Sequence, residues 1–259
     1  MLVEDRRRRL LETVRREGSL TVAAAEETLK VSRMTIHRDL DALAAQGLVR
    51  KVHGGAVAVA PENGEAALWG RPFEERRGAA ALAKRSIGKH LYALVSGART
   101  LVCDASSTVF ELGKLLSQRA DAADLFVVTG GMPLFGELYH HPSGIRVALH
   151  GGEPHPRTGS LIGPLALASL AEMRFDWAVV STASLMREEG VAYDSTPEEA
   201  ELKRAYMQHA RKKVLALDGT KFDLSAPFKL ADLDEFDALV TEDGVKELGA
   251  ATPAKRSRA

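Results

Sequence analysis

Apolar positions in the first 60 residues recur at helical spacing, whereas beyond residue 74 they gather into short unbroken runs. Leu10, Leu11 and Val14 fall on one stripe of a helix that Gly18 stops. Thr21 caps a second, shorter helix with Val22, Ala25 and Leu29 facing inward, and Ala23 to Ala25 are small enough for close packing. After a turn at Lys30 and Val31, Ser32 is placed to cap a third helix through Met34, Ile36, Leu40, Leu43 and Ala44 to Gln46 and Gly47. Met34, Ile36 and Leu40 are expected on its inner side. Residues 48–57 then read as two short strands bent near Gly54 and Gly55.

The pattern changes in the longer part. Apolar runs at 100–103, 125–128, 146–149, 177–180, 214–217 and 238–240 are separated by helical stretches. Strands that read as continuous apolar runs belong to a mostly parallel sheet covered on both faces, so this part is α/β and Rossmann-like. Such sheets bind ligands beyond the carboxyl ends of their strands. The expected organisation is a first domain over 1–59, a linker over 60–73 rich in turn residues, an α/β domain over 74–246 and a disordered tail over 247–259.

Composition narrows the classes. With 45% apolar and 27% charged residues the chain is an ordinary globular protein. One cysteine, Cys103, excludes an internal disulfide, fits a reducing compartment and reads as a buried small hydrophobe. No apolar run approaches a membrane span and no signal peptide is apparent, so the cytoplasm is the expected location. The net charge of zero hides a slight basic excess before residue 60, with 11 Lys and Arg against 8 Asp and Glu. That excess is too small to mark a nucleic-acid binder, so the placement of the cations must carry the argument.

Two helices joined by a tight turn make a helix-turn-helix, which sets the first residues of its second helix into the major groove. Those residues are Ser32, Arg33, Thr35, His37 and Arg38. Arg33 and His37 share a face, and an arginine there can chelate a guanine edge while hydroxyls and the helix start suit phosphate oxygens. Arg50, Lys51 and His53 make the following hairpin a basic wing for backbone phosphate or the neighbouring minor groove. The Arg6 to Arg9 run is either a solvated helix face or a further phosphate contact.

In the second domain, hydroxyls and glycines follow the strands: Asp104 to Thr108, Thr129 to Gly131, Gly151 and Gly152, Ser181 to Ala183, and Asp218 to Phe222. Small residues let amides approach an anion, and a hydroxyl-rich turn opening a helix adds the favourable end of its dipole. Phosphate is the group this suits.

The stretch Val31-Ser32-Arg33-Met34-Thr35-Ile36-His37-Arg38-Asp39-Leu40-Asp41-Ala42-Leu43, with Gly47-Leu48-Val49 and His53-Gly54-Gly55-Ala56, resembles the DNA-binding signature of the DeoR family across the whole first domain. His37 stands where the family usually has a second arginine. Residues 74 to 243 resemble that family's effector domain, similar in fold to ribose-5-phosphate isomerase and glucosamine-phosphate deaminase. The turn from Asp104 looks like its Asp-Ser-Gly-Thr-Thr motif, Glu201-Leu202-Lys203 its late helix, and Asp218 to Phe222 its Asp-x-Ser-Lys-Phe stretch. Gly130 replaces the family's usual asparagine and Thr220 its serine. The resemblance implies a sugar-metabolism repressor that leaves double-stranded operator DNA when a phosphorylated sugar binds. It places phosphate on Ser106, Ser107 and Thr108, lines the pocket with Thr129, Gly130, Gly151 and Gly152, and brings Asp104, Lys203 and Lys221 to sugar hydroxyls or phosphate.

Other readings remain open. An isomerase- or deaminase-like enzyme carrying a DNA-binding domain would need a pocket carboxylate of raised pKa, for which Asp104 and Glu201 are the candidates. An activator or a ligand-blind DNA binder shares every residue named. His140, His141, His150 and His155 lack metal-ligand spacing and are expected in solvent; no metal, cofactor or catalytic residue is assigned. Because one helix-turn-helix buries a modest interface, a homodimer or homotetramer is expected.

Overall fold

The computed structural model of the chain describes residues 3–17, 19–45, 49–52, 54–58, 72–119, 124–140 and 144–249. Gly18, Gln46, Gly47, Leu48, His53, positions 60–71 of the expected linker, His141 and positions 250–259 of the expected tail lie outside them. The described residues separate into two units, one holding those up to 58 together with 74–79, the other 72–73 and those from 80.

The first unit runs α1 (Val3–Glu17), β1 (Ser19–Thr21), α2 (Val22–Leu29), α3 (Arg33–Ala45), β2 (Val49–Val52) and β3 (Gly55–Ala58). Leu10 and Val14, Val22 and Ala25, and Ile36, Leu40 and Leu43 supply one stripe from each helix, closed by Leu20, Val49 and Ala56 from the strands. Thr21 caps α2, its hydroxyl accepting from the Ala24 amide at 3.2 Å. Lys30 enters the left-handed region at φ 55° and returns its amide to the Glu26 carbonyl at 2.9 Å, which ends α2 and makes the turn into α3 short.

The two wing strands pair antiparallel from Val49 opposite Ala58 to Val52 opposite Gly55. A third strand that the apolar pattern did not signal, β1, joins them in the order β1-β3-β2. Gly55 permits this: a Cβ there would stand 2.2 Å from the Leu20 carbonyl oxygen. The wing is thereby fastened to the chain that enters α2.

α4 (Phe73–Gly78) has its first residue in the second unit and the rest in the first; the second unit continues with α5 (Ala81–Leu94), β4 (Thr100–Cys103), α6 (Val109–Ser117), β5 (Phe126–Thr129), α7 (Met132–Tyr139) and β6 (Arg146–Leu149). After the two-residue strands β7 (Glu153–Pro154) and β8 (Leu161–Ile162) come α8 (Pro164–Leu170), β9 (Phe175–Val180), β10 (Ser184–Met186), β11 (Val191–Asp194), α9 (Pro197–Gln208) and β12 (Ala210–Ala216). β13 (Phe228–Asp232), β14 (Ala238–Thr241) and β15 (Gly244–Glu247) complete it. The main sheet has the order β15-β14-β12-β9-β4-β5-β6, parallel except for β15, which folds back on β14.

Successive strand residues face opposite sides. Leu101, Cys103, Val127, Val179, Val214, Ala216 and Val240 pack under α5, α6 and α7, while Val102, Val128, Ala178, Val180, Leu215 and Leu239 pack under α8 and α9. Both faces being covered accounts for the unbroken apolar runs. Two small antiparallel sheets, β10-β11-β13 and β7-β8, lie outside the expected parallel pattern. The first of them carries Asp194 at the end of β11.

Candidate functional site

In the first unit the start of α3 is a polar surface. The Ser32 hydroxyl lies 3.4 Å from the Thr35 amide and 2.9 Å from the Thr35 hydroxyl, so these side chains cap the helix through each other. Arg33 and Arg38 are exposed, and His37 and Thr35 are half-buried. Met34 corrects the expectation of an inward side chain: it is 71% exposed, whereas Ile36 and Leu40 are fully buried. Lys51 on β2 meets Asp41 of α3 at 2.5 Å, both side chains being exposed, which ties the wing to the helix. Arg50 lies in β2 beside it.

Two residues of the arginine run have a task outside either reading, while Arg9 is exposed as a solvated face requires. Asp39, 2% exposed, receives Arg6 Nε at 2.5 Å and Arg7 Nε at 2.9 Å. Two of the four arginines therefore lock α1 onto α3 one residue after Arg38, setting the direction in which α3 presents its first turn.

The second unit gathers polar groups where β4, β5, β9 and β12 end. Asp104, 1% exposed, follows β4. One of its oxygens accepts from the Ser106 amide at 2.9 Å, and the other accepts from the Ser181 amide at 2.7 Å and faces Lys203 Nζ at 3.4 Å. Lys203 also donates to Asp194 at 2.6 Å and to the Ser181 carbonyl at 3.0 Å. Two hydrogen bonds and one further ion pair thus surround one buried ammonium. Although burial opposes the charge, Asp194, Asp104 and Glu199 together hold the Lys203 pKa above its usual value.

The turn that Asp104 holds is Ser106, Ser107 and Thr108, all buried. Ser106 Oγ caps α6 by accepting from the Val109 amide at 3.0 Å, and Ser107 Oγ accepts from Lys84 Nζ at 3.2 Å. Lys84 comes from α5, is 3% exposed and escaped the sequence reading.

Thr129 belongs to the same edge but is occupied: its hydroxyl donates to the Cys103 carbonyl at 2.7 Å and accepts from the Gly131 amide at 2.9 Å. Gly130 is fixed by its surroundings, since a Cβ would lie 2.4 Å from His150 Nε2 and 2.9 Å from the Tyr206 hydroxyl. His150 and Tyr206 are themselves hydrogen-bonded at 2.5 Å. Burial lowers the His150 pKa, and burial raises that of Tyr206 well above its usual value. His150 and His155 are each 4% exposed, which overturns their expected solvent position, while His140 is exposed.

Gly151 and Gly152 back onto α8. The Gly151 amide donates to Ser169 Oγ at 3.0 Å, and Gly152, at φ 137°, has room only for hydrogen against the Ile162 carbonyl oxygen. On α9 the buried carboxylate is Glu199 and not Glu201, which is exposed. Glu199 accepts from the Thr158 hydroxyl at 2.9 Å and lies 3.5 Å from that of Ser160; burial raises its pKa although Lys203 pulls the other way. After β12, Asp218 accepts with one oxygen from the Thr220 amide at 3.1 Å and from the Thr220 hydroxyl. Its other oxygen is buried with no hydrogen-bond donor among the described residues. Lys221, half-buried, closes that loop with its amide on the Asp218 carbonyl at 2.9 Å.

A cleft of about 390 Å³ lined by Arg99, Asp176, Trp177 and Arg211 opens at the opposite, amino edge of the sheet. There Asp176 accepts from the Arg99 and Thr100 amides, which lowers its pKa. The buried hydroxyls and carboxylates converge at the carboxyl edge instead. No helix among the described residues is long and apolar enough to cross a membrane.

Residues 6–62 match the DeoR-like helix-turn-helix domain and residues 80–243 the DeoR C terminal sensor domain. The chain is 27% identical to the transcriptional repressor AccR of Agrobacterium fabrum, over 97% of its own length and 94% of that protein. It is 30% identical to the HTH-type transcriptional regulator GolR of Listeria innocua, covering 94% and 92%. With the lactose phosphotransferase system repressor of Lactococcus lactis it shares 28% identity, covering 92% and 90%. The sensor-domain match alone covers more than half of the sequence, and the chain belongs to the DeoR family.

Proposed function

We propose that the chain is a repressor of carbohydrate-metabolism genes that holds operator DNA through the start of α3 and the wing, and releases it when a phosphorylated sugar binds the second unit. Arg33 reads a base edge, and Ser32, Thr35, His37, Arg38, Arg50, Lys51 and His53 hold phosphates or position the helix. The repressor sign follows the names of AccR and of the lactose phosphotransferase system repressor. A homodimer or homotetramer in the cytoplasm is the working form, because specific affinity needs two half-sites.

The observation that carries the effector half is the turn from Asp104 to Thr108. It brings a buried lysine, Lys84, onto the Ser107 hydroxyl, beside the Ser106 and Thr108 hydroxyls and the amides at the start of α6, a donor set that suits a phosphate. Asp218 offers a buried carboxylate oxygen to a sugar hydroxyl, and Lys221 lies in the same loop. Asp104 and Lys203, being engaged with Ser181 and Asp194, act by positioning the turn, and Thr129, Gly130, Gly151 and Gly152 shape the strand ends around it. Effector binding shifts the population toward a form unable to place two α3 helices on adjacent half-sites.

Mobility shift of the chain's own promoter DNA against a panel of phosphorylated sugars and their unphosphorylated counterparts tests this. The complex is expected to dissociate with a phosphorylated member only; a shift unchanged by the whole panel overturns it. Glu199, a buried carboxylate of raised pKa, is the one observation favouring an isomerase- or deaminase-like activity, and turnover of ribose 5-phosphate or glucosamine 6-phosphate would establish that instead.

A further inference from the structure

Met34 is the most exposed of the large apolar side chains described in its unit. The first core is made of buried residues with Leu11, Leu29, Val31 and Ala44 partly buried against it, and Val3 and Val52 leave 48% and 39% of their surface in water, yet Met34 leaves 71% in the first turn of α3. Its neighbours are Arg33 before it, His37 three residues on and Arg38 four residues on, so one side chain of flexible apolar surface is rimmed by cations and donors. A rim of that charge suits a polyanion. A lone methionine is also too small to be the centre of a protein interface.

The floor of a major groove presents donors and acceptors on every base pair, and its one apolar feature is the 5-methyl group of thymine. We infer that Met34 is a specificity-determining residue, packing against a thymine 5-methyl beside the guanine that Arg33 contacts. This rests on the reading of α3 as the base-reading helix. Burying one methyl group against it contributes about fourfold in affinity, enough to select thymine without dominating the site.

The test uses the full chain and duplexes it enriches from a random pool. Each thymine of an enriched duplex is replaced singly by deoxyuridine, which removes the methyl and leaves every hydrogen-bonding group in place. One thymine per half-site is expected to show a loss of about fourfold on this replacement. In Met34→Ala the difference between thymine and deoxyuridine at that position disappears, while the preference for guanine at the neighbouring position persists. Because Met34 is exposed, the variant keeps the thermal midpoint of the parent. Absence of any methyl-sensitive thymine overturns the proposal, as does a thymine preference that survives in Met34→Ala. A variant that changes oligomeric state with no effect on methyl discrimination assigns the side chain to a second copy, and overturns it too. A pool that yields no enriched duplex fails earlier, at the reading of α3 itself.

Discussion

In the first unit Arg33, Arg38, Ser32 and Lys51 stand in solvent above a core whose buried charge is Asp39. In the second, Asp104, Ser107, Thr108, Lys203 and Asp218 are each more than nine-tenths buried. A duplex arrives from outside, so groups that meet it stay hydrated until it does, and the fold need not balance them. A small ligand is enclosed, so groups that meet it are already out of water. There the fold must supply partners of its own, as Asp104, Asp194 and the Ser181 carbonyl do for Lys203.

This contrast is broken or sharpened most strongly at Lys203. Lys203→Met leaves Asp104 and Asp194 buried without their cation, and destabilisation of the second unit by about 3–5 kcal/mol is expected in chemical denaturation, with the first unit unaffected. A loss below about 1 kcal/mol would mean that water reaches the pair and that the second unit handles charge as the first does.

Next in size is Arg33→Ala. Operator binding is expected to fall by about 1–3 kcal/mol with base preference relaxed at one position, while the unfolding midpoint stays where it was. Undiminished site preference at fixed salt removes Arg33 from base reading.

A smaller effect concerns Glu199. Its folded pKa lies above the ordinary 4.5, so as pH rises through 4.5 toward the folded value the folded chain keeps a proton that the unfolded chain has lost. Stability therefore declines across that window. Glu199→Gln should flatten the decline in denaturation midpoints followed against pH, gaining on the parent above the window and matching its slope below. Parallel profiles for parent and variant would assign the pH dependence elsewhere.

Smallest is Lys51→Ala, which removes one exposed cation already paired with Asp41. Binding should weaken evenly across sequences, and the slope of log affinity against log salt should fall by about one.

What the sequence disclosed follows from these same conditions. β4 was legible to the residue because a strand covered on both faces is built from apolar residues; β6, at the sheet edge and without a fully buried residue, was legible by its apolar run alone. β1, β7, β8 and the β10-β11-β13 sheet are short and mixed in polarity, so no period betrays them. The turn from Asp104 was legible by its hydroxyls, but Lys84 was not, since a lysine in a helix ordinarily marks the solvated face. Glu199, Lys203 and Tyr206 share one face of α9 at spacings of four and three, a signal that was present and outweighed by the nearby Glu201. Met34 misled because helical period assigns a face without saying where the core ends.

Cys103 closes β4 immediately before the Asp104 turn, fully buried, and burial pushes its thiol pKa far up. No other sulfhydryl exists in the chain. A thiol-selective reagent therefore has no thiol to modify until the central strands part, and its rate of reaction is a built-in clock for opening of the sensor unit alone. Any compound seated on the turn that follows would slow that clock, whatever its effect on DNA.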